Sequence, residues 1–148
     1  MKQYFKFLFF AFLSIITPIS KAETNNNTVS YTDYVDEANK LYKSGQYDLA
    51  IEAVNKAIHL DSNNSLLYNI KGIILCRSDQ ANLGLEAFNK AIELNPNDSS
   101  FYHNKSMVLA QLGKYDIAIE AINKSLELNP RNSDAQRVKQ LLIQKLEN

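Results

Sequence analysis

The sequence predicts an all-α solenoid built from three tandem two-helix repeats and closed by a C-terminal capping helix. Three observations carry that prediction. The chain matches itself at an offset of 34 residues. Each matched unit holds two apolar stripes at helical spacing, separated by turn residues. Only four Gly and three Pro occur among 148 residues, too few for a turn-rich β architecture. Hydrophobic residues make up 45% of the chain, enough for a sizeable core.

The offset aligns Tyr34, Tyr68 and Tyr102, then Leu41, Leu75 and Leu109, then Ala53, Ala87 and Ala121. Lys56, Lys90 and Lys124 follow, and Leu60, Leu94 and Leu128. The segments 45–64 and 113–132 agree at 11 of 20 positions. The units are therefore 31–64, 65–98 and 99–132. In the first, Tyr34, Ala38, Leu41 and Tyr42 share one helical face. Ser44-Gly45-Gln46 interrupts, with Gly45 suited to the left-handed backbone that ends a helix. Ala50, Ile51, Val54, Ala57 and Ile58 form the second stripe, and Asp61-Ser62-Asn63-Asn64 closes the unit. Asn95-Pro96 and Asn129-Pro130 close the next two, where proline stops a helix. Residues 133–148 read as the capping helix, with Ala135, Val138, Leu141, Leu142 and Leu146 on its apolar stripe. Arg137, Lys139, Gln140, Gln144 and Lys145 would face water.

Residues 1–22 read as a secretory signal peptide. Lys2 and Lys6 precede the apolar run FLFFAFLSII, and Ser20-Lys21-Ala22 offers a cleavage site. The alternative is a retained anchor, but the run from Phe7 to Ile19 is 13 residues, against the about 20 that span a bilayer. Residues 23–30 form a polar, flexible lead-in. The compact leader and abundant Asn, Lys and Ile point to a bacterial source, hence to a periplasmic or secreted protein with no stable membrane insertion after cleavage. Without Lys2, Lys6 and Lys21 the chain has 13 basic and 16 acidic residues, a net of −3, which disfavours nucleic acid as a partner.

The repeat resembles the tetratricopeptide repeat family over residues 31–132. Tyr34, Tyr68 and Tyr102 match its large aromatic, and Ala38, Gly72 and Ser106 its small crossing position. Gly45 and Gly113 match the turn glycine, and Tyr47 and Tyr115 the aromatic after it. Ala50, Gly84 and Ala118 match the tight contact of the second helix, Val54, Phe88 and Ile122 its large site, and Ala57, Ala91 and Ser125 its second small one. Pro96 and Pro130 carry the terminal proline. Glu37, Lys71 and Lys105 depart from a usual leucine, Asp79 from the turn glycine, Ala81 from the turn aromatic and Ser62 from the first proline. The resemblance implies a right-handed superhelix whose first helices line a concave groove for a peptide or helix.

No chemistry competes with that reading. One Cys and two His make no zinc cluster. There is no phosphate-cradling glycine loop and no nucleophile elbow. Neither catalysis, metal nor cofactor is expected. Glu52, Glu86 and Glu120 each stand four residues before a lysine, the spacing of helical ion pairs. The groove positions implied by the resemblance include Val35, Asn39, Tyr42 and Lys43 of the first unit, and Asn69, Ile73, Cys76 and Arg77 of the second. The third supplies His103, Met107 and Gln111. Thr32, Leu66, Ser100 and Ala110 complete the set of groove positions. Val35, Tyr42, Ile73 and Met107 offer apolar contact; Asn39, Asn69 and Gln111 can bond a ligand backbone; Lys43 and Arg77 favour a carboxylate. Cys76 is expected reduced and partly buried. One subtype of the family clamps chaperone tails through Lys, Asn and Arg. Its positions hold Val35, Asn39, Ile70, Ser100 and Asn104 here, of which Asn39 alone fits. The chain is thus expected to be a non-catalytic scaffold for a protein or peptide partner. The alternatives are an assembly subunit of a bacterial envelope complex, docking by its ends or convex face, and a secreted effector.

Overall fold

The computed structural model describes residues 29–147. Among these, every regular element is an α-helix: α1 (Tyr31–Lys43), α2 (Tyr47–Leu60), α3 (Ser65–Arg77), α4 (Ala81–Leu94), α5 (Ser99–Gln111), α6 (Tyr115–Leu128) and α7 (Ser133–Leu146). The expected signal segment and nearly all of the lead-in lie outside the described residues.

The helices pair as hairpins α1/α2, α3/α4 and α5/α6, and α7 lies against α6. Each second helix also packs on the first helix that follows it. First helices touch one another, α3 with α5 and α5 with α7, whereas α2, α4 and α6 make no comparable mutual contact. Elements that converge on one side and splay on the other must curve. The first helices and α7 therefore form the inner face of a helical solenoid; the solenoid is the expected fold, while α7 on its inner face is not anticipated.

The two kinds of helix start differently. The first helices and α7 begin at side-chain caps from Ser30, Asn64, Asp98 and Asn132. Ser30 and Asp33 make a reciprocal capping box, with Ser30 N–H donating to Asp33 Oδ2 at 2.7 Å. The second helices have no side-chain cap. They follow a left-handed residue, Gly45 at φ 77°, Asp79 at φ 60° and Gly113 at φ 72°. After each, a backbone N–H returns to the helix just ended: Gln46 to Leu41 O, Gln80 to Leu75 O and Lys114 to Leu109 O, all at 2.9 Å. Asp79 thus adopts the conformation of the glycine it replaces.

Between units, Tyr68 Oη donates to Ser62 O and Tyr102 Oη to Pro96 O, both at 3.1 Å. Gln136, one period beyond Tyr102, donates to Pro130 O at 2.8 Å. The capping helix therefore joins the stack as another first helix would.

Small residues let the helices approach. Ala38, Ala50, Ala57, Ala91 and Ala118 are fully buried, and Gly72 and Gly84 are buried beside them. The middle hairpin is tightest. A Cβ on Gly72 would lie 2.7 Å from Phe88 Cε1, and one on Gly84 would meet Cys76 Sγ. Units one and three carry Ala38 with Val54 and Ser106 with Ile122 at the matching positions. The phenylalanine is accommodated because its opposite residue has lost a methyl. The buried serines are satisfied, Ser106 Oγ donating to His103 O at 2.7 Å and Ser125 Oγ to Ser99 O at 2.8 Å.

Two expectations are corrected. In α7 only Ala135 and Leu142 of the expected stripe are buried, while Leu141 and Leu146 are 55% and 50% exposed. A terminal helix has neighbours on one side only, so part of its stripe finds nothing to pack on. The lysines also choose other partners. Lys90 pairs with Glu93 at 2.7 Å and Lys124 with Glu127 at 2.9 Å, each three residues onward. In the first unit that place is His59, and Lys56 Nζ instead lies 5.5 Å from the centre of the Tyr34 ring.

Candidate functional site

The repeat period sets the inner face in rows, one residue per first helix, and α7 continues each row. One row runs Val35, Asn69, His103, Arg137, and the next Asn39, Ile73, Met107, Leu141. The last turns carry Lys43, Arg77, Gln111 and Lys145. Asn39, Lys43, Arg77, Met107 and Gln111 are exposed; Val35, Asn69, Ile73 and His103 are half-buried.

The fourth row, Tyr42, Cys76, Ala110, turns toward the second helix of its own hairpin. The Tyr42 ring packs on Tyr47 with centroids 5.7 Å apart and planes tilted by 56°. Cys76 directs Sγ at Gly84, and burial pushes its thiol pKa up, which opposes thiolate chemistry. Both residues serve the hairpin contact at least as much as the groove.

Two inner-face polar groups are tied together. Asn104 Nδ2 donates to Asn69 Oδ1 at 2.9 Å, linking α5 to α3. Asn104 occupies one of the five clamp positions, so this bond removes it from ligand service. His103 Nδ1 is shielded and has no hydrogen-bond partner. Burial lowers the His103 pKa, and the Asp134 carboxylate on α7 opposes that shift.

The third unit differs where Ala110 stands in the place of Tyr42. No ring covers Tyr115 there, as Tyr42 covers Tyr47. A cavity of about 280 Å³ opens instead, lined by Met107 and Ala110 of α5, Tyr115 of α6 and Val138, Leu141 and Leu142 of α7. Lys145 is the one charged residue in its wall. Met107 is 50% exposed at its edge. The sequence pattern assigns Met107 to the groove but Leu141 to the core and Lys145 to solvent. Carrying the 34-residue offset one step past the third unit aligns Leu141 with Met107 and Lys145 with Gln111, the signal that identifies them.

Two larger hollows lie on the outer side and are bordered by charge. One of about 470 Å³ includes Glu52, Lys56 and His59; the other, about 360 Å³, includes Lys71, Glu86 and Lys90. Leu49, Leu83 and Ile117, at one repeat position on the second helices, are each nearly half exposed. Among the described residues no cluster of His, Cys, Asp or Glu could hold a metal ion, and no helix is long and apolar enough to cross a membrane.

The first TPR of Spaghetti (RPAP3), solved with the HSP90 peptide SRMEEVD, superposes with a TM-score of 0.76 at 24% identity, over 80% of this chain and 97% of its own. The first TPR domain of human RPAP3 gives 0.75 at 25% identity, over 79% and 92%. The Sgt2 TPR domain of Aspergillus fumigatus gives 0.75 at 18%, over 79% of each chain. No curated protein matches the sequence significantly. Two family models described as tetratricopeptide repeat match residues 35–99 and 87–120. With hairpins, small crossing residues and left-handed turns all in place, the chain belongs to the tetratricopeptide repeat family.

Proposed function

We propose that this protein is a non-catalytic scaffold that holds a segment of a partner protein along its inner face. One observation carries the reading: the row Ile73, Met107, Leu141 places accessible apolar side chains one per helix along that face, with Met107 and Leu141 half exposed. Surface of this kind in register marks interaction sites. Lys43 and Arg77 border it without an ion pair among the described residues, so the partner segment carries acidic groups. Similar solved domains hold HSP90 and HSP70 peptides, which supports a peptide segment as occupant. The chaperone-tail clamp itself is not supported, because four of its five positions here are Val35, Ile70, Ser100 and the engaged Asn104. We place the scaffold outside the cytoplasm, periplasmic or secreted, on the strength of the leader; amino-terminal sequencing of the exported protein should begin at Glu23.

A second reading has its own observation. The outer row Leu49, Leu83 and Ile117 would suit an assembly subunit that docks by its convex side. Photo-crosslinkers at Met107 and at Leu83 separate the two in cells. Adducts from Met107, lost on charge reversal of Lys43 and Arg77, support the groove. Adducts from Leu83 alone, indifferent to those charges, support assembly.

A further inference from the structure

We propose that the cavity between α5, α6 and α7 is an anchor for one large apolar side chain of the bound polypeptide, with an acidic group of the same polypeptide against Lys145. This rests on the reading of the inner face as the binding surface and specifies which end of it holds the ligand and by what chemistry.

The cavity is a consequence of side-chain size. Its counterpart in the first unit is filled by the Tyr42 ring packed on Tyr47. Ala110 leaves the equivalent volume empty and exposes Tyr115 to it. At about 280 Å³ it is smaller than the roughly 300–1,000 Å³ of sites for free small ligands. It is open to the groove along Met107 and Leu141, each half exposed. A single leucine-sized or aromatic side chain fits such a space, entering from a backbone that runs along the inner face.

Charge selects the neighbour of that side chain. No acidic residue lines the cavity, and Lys145 does. Lys145 shares its repeat position with Lys43 and Arg77, so three cations stand along the same rim, at the ends of α1, α3 and α7. None has an ion-pair partner among the described residues. A polypeptide with an apolar anchor beside carboxylates satisfies both features; a basic one would be repelled along the whole rim.

The test uses the isotope-labelled chain and three acetylated glycine–serine peptides. One carries a leucine followed by two glutamates, one has alanine for the leucine, and one has lysines for the glutamates. The methyl signals of Met107, Val138 and Leu141 report occupancy. The leucine–glutamate peptide should move them, and loss of the leucine should weaken binding about tenfold, the scale of one buried apolar side chain. Ala110→Tyr should abolish the shifts while leaving the helical circular dichroism intact, since the first unit already houses a tyrosine there. Lys145→Glu should reverse the preference between the acidic and basic peptides.

The proposal is overturned if millimolar peptide leaves these methyls unmoved, if Ala110→Tyr binds undiminished, or if leucine is dispensable. It is also overturned if the same shifts grow with protein concentration alone, which would make a second copy the occupant. Crosslinked partners that persist in Ala110→Tyr, together with peptide shifts confined to α1 and α3, would remove the anchor and leave the groove standing. Capture from Leu83 only would remove the groove as well.

Discussion

Gly72 and Phe88 form a pair whose sizes are set against each other, and Gly72→Ala tests it. The added Cβ would lie 2.7, 2.8 and 2.9 Å from Phe88 Cε1, Cδ1 and Cζ, well inside the about 3.5–4.0 Å at which carbon atoms attract. Phe88 is 1% exposed, so the ring has no free space to enter. Overpacking of this kind costs roughly 1–3 kcal/mol. Alanine returns about 1 kcal/mol over glycine in a helix interior. The expected net loss is about 0–2 kcal/mol, the difference of those two effects. In a Phe88→Val background the clash disappears and the pair becomes that of Ala38 and Val54. Phe88→Val alone should cost about 2–4 kcal/mol through its cavity, and Gly72→Ala should then stabilise by about 1 kcal/mol. Urea midpoints by circular dichroism at constant slope give all four corners of the cycle. The expected coupling is about 1–3 kcal/mol. If Gly72→Ala changes stability equally in both backgrounds, the ring yields and the reasoning from paired sizes is wrong.

Asp79 holds φ 60°, a conformation that costs most side chains about 1–2 kcal/mol and glycine little. Asp79→Gly should therefore raise the urea midpoint, by about 0.5–1 kcal/mol once the freer unfolded chain is counted, while Gly113→Ala should lower it. His103 has its pKa lowered chiefly by burial. Its unfolded form takes a proton first, so stability is full above the unfolded histidine pKa and falls as pH drops through that value. His103→Gln should flatten the decline in urea midpoint between about pH 8 and pH 5. Asp134→Asn should move the His103 titration seen by NMR still lower, because the opposing carboxylate charge is gone.

The repeat architecture could be read because its information is local and periodic. Tyr34, Tyr68 and Tyr102 mark the period, and Gly45 and Gly113 mark the turns. Asp79 breaks the second signal without breaking the conformation, since all three turns close through the same backbone bonds. What escaped depends on neighbours that periodicity does not describe. The Leu141 and Leu142 side chains are adjacent in one stripe, yet only Leu142 faces α6 and α5 closely enough to be buried. Lys56 lacks the Glu partner of Lys90 and Lys124 because a single residue, His59, differs three places on. Ala110 looked like one more small groove residue. Its meaning comes from the packing of Tyr42 on Tyr47 in another unit, a tertiary contact that no spacing rule predicts.

The tightest fits between large and small side chains close inside a single hairpin: Gly72 with Phe88 and Cys76 with Gly84. What crosses from one hairpin to the next includes a contact of one recurring form, a side chain reaching a loop carbonyl, and Gln136 shows that even tyrosine is optional for it. A block of 34 residues is consequently a transposable part. It can be copied, deleted or moved along the gene with its internal accommodations intact, so the length of the array is free to drift in evolution while each block keeps its own idiosyncrasies.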